Sequence, residues 1–287
     1  MGERQARSDA VRKSRWRPSK AAWAGIIVVI FWLLIGLLGP RLAPFTESAF
    51  VADRGFLKPS KDFLLGTDYI GRDILSRLIY GTRLTLGMAF SATLIASFVG
   101  SLLGIFAAIK GGWVDMVLSR LDEAMLAVPK IMMGLVAIAA LGSSIFILIM
   151  VTGFIYMLSV YRIARALGMD IAAMDYVEVA KSRGENTLWI LVHEVLPNAV
   201  VPLIVDFGIR LSYSIRFMAS LSFLGLGVQP PYADWGGMVR ENLVGLSAKS
   251  GAPIIPALAI ATLTIALNLI VDDYIARTGQ EFTKRIT

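Results

Sequence analysis

Apolar positions gather into runs of about twenty residues separated by shorter polar stretches, and twenty residues at 1.5 Å each cross the hydrocarbon of a bilayer. The first run, 21–42, reads AAWAGIIVVIFWLLIGLLGPRL. Others cover 84–109, 123–141 with Pro129 inside it, 143–161, 199–224 and 253–271. The pattern predicts six transmembrane helices, hence an all-α integral membrane protein. The first run also has the basic start and apolar body of a secretory leader. Its apolar stretch exceeds the usual leader core of about 7–15 residues, and it ends at Gly39-Pro40-Arg41, not at a small-residue cleavage site. It is therefore expected to stay as an anchor.

Two polar segments carry patterns of their own. In 162–198, helix formers dominate 175–183, Gly184 interrupts them, and a second apolar-periodic run follows through Leu188, Ile190, Leu191 and Val195. Pro197 then stands where a helix begins, a place at which its missing N–H costs little. Two short helices joined at a glycine would project a knob from the membrane; the alternative is a plain connector. In the segment before the second run, Ile70, Ile74, Leu75, Leu78 and Ile79 share one helical face, while Arg72, Asp73, Ser76 and Arg77 share the other. That spacing predicts an amphipathic helix lying on the outer membrane surface and leading into the second span. The alternative is a solvated loop.

Composition narrows the chemistry. Of 287 residues, 56% are hydrophobic and only 17% charged, well under the quarter usual in soluble domains. Mean hydropathy is +0.68. There is no cysteine, which excludes disulfides, thiolate metal sites and a cysteine nucleophile. The single histidine, His193, leaves no basis for an imidazole metal centre, and its expected role is helix capping or packing. No cofactor is expected. The scattered methionines read as packing. A net charge of +7 fits cationic flanks of membrane helices better than a nucleic-acid surface.

Seven Lys and Arg residues between Arg4 and Lys20 place the N-terminus in the cytoplasm under the positive-inside rule. Six crossings then put 162–198 and the tail 273–287 on the same side, with 43–83 and 225–252 external. Arg54, Lys58, Lys61, Arg72, Arg77 and Arg83 in the first external segment run against this; the denser N-terminal cluster decides it.

At three separated places the chain resembles a known family. Glu178-Val179-Ala180, Gly184 and Leu196-Pro197-Asn198 resemble the cytoplasmic signature of ABC importer permeases: Glu-Ala-Ala, three residues, Gly, about eleven residues, Leu-Pro. Val179 departs from its central alanine. Gly66-Thr67-Asp68-Tyr69-Ile70-Gly71-Arg72-Asp73, continuing through Ser76-Arg77, resembles a stretch of the oligopeptide, dipeptide and nickel permeases. Ser222-Phe223-Leu224-Gly225-Leu226-Gly227, Pro230-Pro231 and Trp235-Gly236 match a third stretch of that family. Arg120, Asp122, Pro129, Arg162, Arg165, Pro256, Asn268 and Asp272 also fit, whereas Val271 and Ile275 stand where a Gly and an Arg are usual.

The resemblance implies a type I ABC importer permease in a bacterial inner membrane, working by alternating access with a paralogous permease, two ATP-binding subunits and an external substrate-binding protein. Di- or oligopeptides are its default cargo. It further implies a coupling helix that docks in a cleft of the ATPase, with Glu178 facing that subunit or capping the local helix. The chain has no GxxxxGK[ST] cradle for phosphates, so it is expected to be a transport subunit and not an enzyme.

Some charges fall inside the spans. Asp206 and Arg210 are four apart, share a face and can pair. A lone ionised group at a helix centre costs about 2.5–3.5 kcal/mol on insertion scales, so both should face protein or a water-filled cavity. They either line a translocation path or lock their helix to a neighbour. Arg216 is of the same kind or reaches toward the outer surface. Asn268, a further candidate for the path, is better suited to bonding across helices than to touching cargo. Against the importer stand two other classes. A self-sufficient transporter or channel should show inverted repeats or rings of pore charge. A membrane enzyme should show a constellation of acid, base and nucleophile. Neither pattern is evident.

Overall fold

The computed structural model describes residues 18–286. The basic tail on which the expected orientation rests, 1–17, lies outside the described residues. Among those described there is no strand, only two isolated bridges, Phe50–Arg72 and Thr67–Asp73. The helices are α1 (Lys20–Leu42), α2 (Ile74–Lys110), α3 (Gly112–Leu126), α4 (Lys130–Leu141), α5 (Ile145–Ala172), α6 (Asp175–Ser182), α7 (Thr187–Ile190), α8 (Leu196–Phe223), α9 (Trp235–Glu241) and α10 (Ile254–Ile286). Five helical stretches are long and apolar enough to cross a membrane; a sixth is added when the bent pair α3 and α4 counts as one span.

Local chemistry sets the helix ends. The side chains of Ser19, Asp73 and Ser144 accept from the backbone N–H three residues on, capping α1, α2 and α5. At the centre, α2 and α5 lie side by side. Small residues let their backbones close: Ala89, Ala92 and Ala96 are fully buried, and at Gly104 a Cβ would stand 2.5 Å from the Tyr161 carbonyl oxygen. Such close approach is how membrane helices pack, since lipid offers no hydrophobic drive between them.

Four expectations are corrected. The segment 66–79 is no surface-lying amphipathic helix. The helix starts at Ile74 and runs unbroken into the second span, with Asp73 as its cap. Both of its faces are buried: Ile74 and Leu78 against the core, Arg72, Asp73, Ser76 and Arg77 against polar partners. Second, the third span is broken. Val128 and Pro129 interrupt it, and α3 and α4 meet at 89°, because proline cannot donate to the preceding turn and restricts the residue before it. Third, α5 continues eleven residues past Tyr161, and α7 joins α8 through a π-helical turn, Leu191–Val195, so the connector between them shrinks to about 173–186. Fourth, α10 continues through most of the expected polar tail.

The charged residues before α2 fasten a lobe of irregular chain, 43–73, to α9. Asp68 is the hub. Its carboxylate accepts from the backbone N–H of Ile70 and Arg72, from Arg72 Nε at 2.6 Å and from Arg77 Nη1 at 2.7 Å. Both guanidiniums also reach Glu241 Oε2, at 2.8 and 2.9 Å. Two cations thus meet two carboxylates, so the cluster is neutral as well as buried. Asn242 Oδ1 accepts from the Tyr69 N–H at 3.1 Å and ties the same two segments. Burial raises the pKa of Glu241 despite Arg72 beside it, with Asp68 adding a like charge. Asp234, which caps α9, is likewise raised by burial, against the bond from the Gly237 N–H. Next to it Trp235 is fully buried, donates Nε1–H to the Leu78 carbonyl at 3.2 Å and packs edge-on to Trp32 at 4.8 Å.

Candidate functional site

Two features carry the chemistry: the knob between α5 and α8, and a cleft between α4, α5, α8 and α10. In the knob, α6 turns a buried and an exposed edge in opposite directions. Val177 and Ala180, three apart, have no exposure and pack into a cluster with Ile105 of α2, Ala164 of α5, and Ile190, Leu191, Val195 and Ala199. Glu178 and Val179 point away from that cluster into the open, Val179 at 56% exposure. Ala180 therefore earns its small size inside the chain, not as a surface group. Glu178 lies in the first turn of α6, where an acid complements the helix dipole, and makes no capping bond among the described residues.

Gly184 is required for its backbone. Its φ is +83° and nothing lies within 4 Å of where a Cβ would stand. It closes α6 with a paired motif: Glu185 N–H donates to the Ala180 carbonyl at 3.2 Å and Gly184 N–H to that of Lys181 at 2.9 Å. Asn186 then caps α7, accepting from the Trp189 N–H at 2.8 Å. Arg183 lies over the Trp189 ring at 5.6 Å, and His193 stacks on the same ring at 4.7 Å, the packing role expected for it. Leu196 is half-buried beside the cluster, and Pro197 is exposed in the first turn of α8. The motif residues thus form one rigid corner. Near it, Asp115 of α3 takes a two-point ion pair from Arg165 of α5, and the buried Asp122 faces Arg162 at 3.6 Å. These ties fix the first half of the broken span to the helix that leads into the knob.

The cleft has a volume of about 930 Å³ and mostly apolar walls. Its polar groups are Lys130 of α4, Tyr156 of α5, and Tyr213, Arg216 and Ser220 of α8, with Thr264 of α10 opposite. Tyr156 and Tyr213 stack with centroids 6.4 Å apart and planes within 12°, and the Tyr156 hydroxyl donates to the Tyr213 carbonyl at 3.1 Å. Lys130 Nζ lies 4.9 Å from the Tyr156 centroid and donates to Ser159 Oγ at 2.8 Å. The Arg216 guanidinium lies 4.8 Å from the Tyr213 centroid.

The three residues expected along the path are not brought together there. Asp206 and Arg210 pair as expected, with Arg210 Nη2 3.0 Å from Asp206 Oδ1, both largely buried; Arg210 also approaches the Tyr213 ring at 5.7 Å. Asn268 is half-buried on α10, one turn beyond Thr264, and makes no hydrogen bond among the described residues. None of the three lines the cleft. Lys130, Tyr156 and Tyr213, which do, were not singled out by sequence. Lys130 and Tyr156 are lone polar groups in apolar runs, with only Pro129 to mark the first, and Tyr213 sits among serines and arginines that drew attention to Arg210 and Arg216 instead.

Comparison with known proteins decides what kind of chain this is. Residues 100–277 match the model of the family described as binding-protein-dependent transport system inner membrane component. The chain belongs to that family. It is 34% identical over 263 residues to a dipeptide transport system permease protein of Haemophilus influenzae, covering 90% of this chain and 89% of the relative. To a glutathione transport system permease protein of Pectobacterium atrosepticum it is 33% identical over 257 residues, covering 89% and 85%. A di/tripeptide transport system permease protein of Pseudomonas aeruginosa shares 33% over 260 residues, with 88% and 86% covered. This is an all-α, multi-pass permease of the bacterial inner membrane, an ABC importer subunit. The matched region holds both the knob and the cleft.

Proposed function

We propose that this permease forms half of the translocation path of an ATP-driven importer of di- or oligopeptides, pairing with a homologous permease and taking its mechanical work from two ATPase subunits through the knob. The observation that carries this reading is the division of α6. Val177 and Ala180 anchor it to α2, α5 and α8, while Glu178 and Val179 stay free to meet another protein. A push on that exposed edge passes straight into the two longest helical stretches of the chain, since Ile105 is on α2 and Ala199 on α8. The first is α2 itself and the second is the continuous stretch Thr187–Phe223 that takes in α7, the π-helical turn and α8; each runs 37 residues, about 55 Å at 1.5 Å per residue.

In this reading the knob is cytoplasmic, and the lobe 43–73 with α9 faces outward to receive cargo from a binding protein. Closure of the ATPases moves the two knobs together and rocks the helices rigidly, opening the cleft outward; hydrolysis returns it. Peptide cargo is supported by the names of the relatives, two of which are permeases for dipeptides or di- and tripeptides. The chain's own contribution is the gate, and ATP is consumed elsewhere.

The test is reconstitution. The purified chain alone should hydrolyse no ATP. With a second permease and two ATPases in liposomes, hydrolysis should rise when cargo-loaded binding protein is added. Gly184→Val, which forces a β-branched residue into φ +83°, should leave the assembly intact and abolish uptake. Normal uptake by that variant would contradict the coupling role.

A further inference from the structure

The cleft holds more positive charge than the chain itself neutralises. Three cations surround the Tyr156–Tyr213 stack: Lys130 over one ring, and Arg216 and, farther off, Arg210 over the other. The one carboxylate at hand, Asp206, is engaged by Arg210. Among the described residues no Asp or Glu lines the cleft, so within them Lys130 has a serine hydroxyl and a π-face for partners, and Arg216 a π-face. The place is also deep. Tyr156 is eleven residues into α5, about 16 Å from that helix's start at 1.5 Å per residue. Cations at such depth are costly and mark ion or substrate pathways when they face a cavity. Aromatic faces hold them charged without spending a counter-ion.

We propose that Lys130 and Arg216 bind the carboxylate of passing cargo, while Tyr156, Tyr213 and Phe217 cradle its apolar part. The ligand class is a small molecule with a free carboxylate and apolar flesh, which a peptide with an unblocked C-terminus supplies. The proposal rests on the reading of the chain as half of a translocation path. A carboxylate from the second permease is the competing source, and the experiment separates the two.

The complete transporter is reconstituted, and uptake of trialanine and of trialanine C-terminal amide is measured as initial rate per molecule of cargo-loaded binding protein. Because the same binding protein serves every variant, its own preference cancels in the comparison of acid-to-amide ratios. In Lys130→Met/Arg216→Met the acid-to-amide ratio should fall about tenfold from wild type, the loss of the charge-assisted contacts to the carboxylate. Lys130→Arg/Arg216→Lys should keep the wild-type ratio. If the double Met variant does not assemble, Arg216→Gln alone should lower the ratio about threefold. Equal loss of acid and amide would overturn the site. So would failure of Arg216→Gln to co-purify with the second permease, since the cation would then be pairing with the neighbour. Gly184→Val run in parallel keeps the two readings apart: an unchanged ratio with Gly184→Val inactive overturns only the carboxylate site, whereas normal uptake by Gly184→Val overturns the importer reading beneath it.

Discussion

The knob and the lobe are built from similar material and use it in opposite ways. Both present charged residues alternating with apolar ones over about two helical turns. In the knob, the apolar Val177 and Ala180 are buried while Glu178 stays in solvent. In the lobe, Arg72 and Arg77 are as buried as Ile74, because Asp68 and Glu241 receive them. Helical spacing says which side chains share a face; it does not say whether the polar face is wet. What decides is the presence of partners of opposite charge in another segment, here Glu241, 169 residues away in sequence from Arg72. A charged motif with such partners fastens the fold, and one without them is free for another molecule.

The comparison breaks first at Asp68. Asp68→Asn removes the carboxylate between two buried guanidiniums, and breaking a buried pair costs about 3–5 kcal/mol. Thermal unfolding of the purified complex should show the largest loss of any single change in this set. A loss under about 1 kcal/mol would mean the lobe's charges are solvated after all. Next comes Ala180→Leu, which overfills the contact between α6 and the ends of α2 and α5, at about 1–3 kcal/mol. Its melting point should fall; an unchanged one would place Ala180 on the surface. Glu178→Lys should move stability by less than about 1 kcal/mol yet stop uptake, as the proposed contact with an ATPase subunit requires.

The smallest effect concerns Asp234. Its folded-state pKa is raised by burial, so the native state holds the proton more tightly than the unfolded chain. Its share of stability is full below the ordinary carboxylate value and is lost as pH rises through the raised one. Asp234→Asn keeps the cap on α9 and should flatten that part of the melting-temperature profile above the ordinary carboxylate range, leaving the variant at least as stable as wild type at neutral pH. A steeper profile in the variant would contradict the sign.

Much of this was legible beforehand, for reasons that also explain the rest. Lipid imposes long apolar helices, so spans such as 21–42 and 199–224 were found to within a few residues. Gly184 was legible because interruption of a helical run by glycine is a local signal. The length of α2 was not, since residues 74–83 are polar enough to resemble a surface helix and their partners are remote. The 89° break was hidden because Pro129 alone permits either a kink or a full turn. The cleft was hidden most completely: Lys130, Tyr156 and Tyr213 come from three helices, and only packing assembles them.

One measurement bears on the division of α6 more directly than any other. The chain has no cysteine, so Val179→Cys and Ala180→Cys each introduce a single thiol, on the exposed and the buried edge of the same helix. With a short bifunctional thiol–amine crosslinker and the assembled transporter, Val179→Cys should be captured with an ATPase subunit and Ala180→Cys should not. Capture from neither position, or labelling of Val179→Cys by an impermeant thiol reagent applied outside intact cells, would contradict the knob as the place where the work enters.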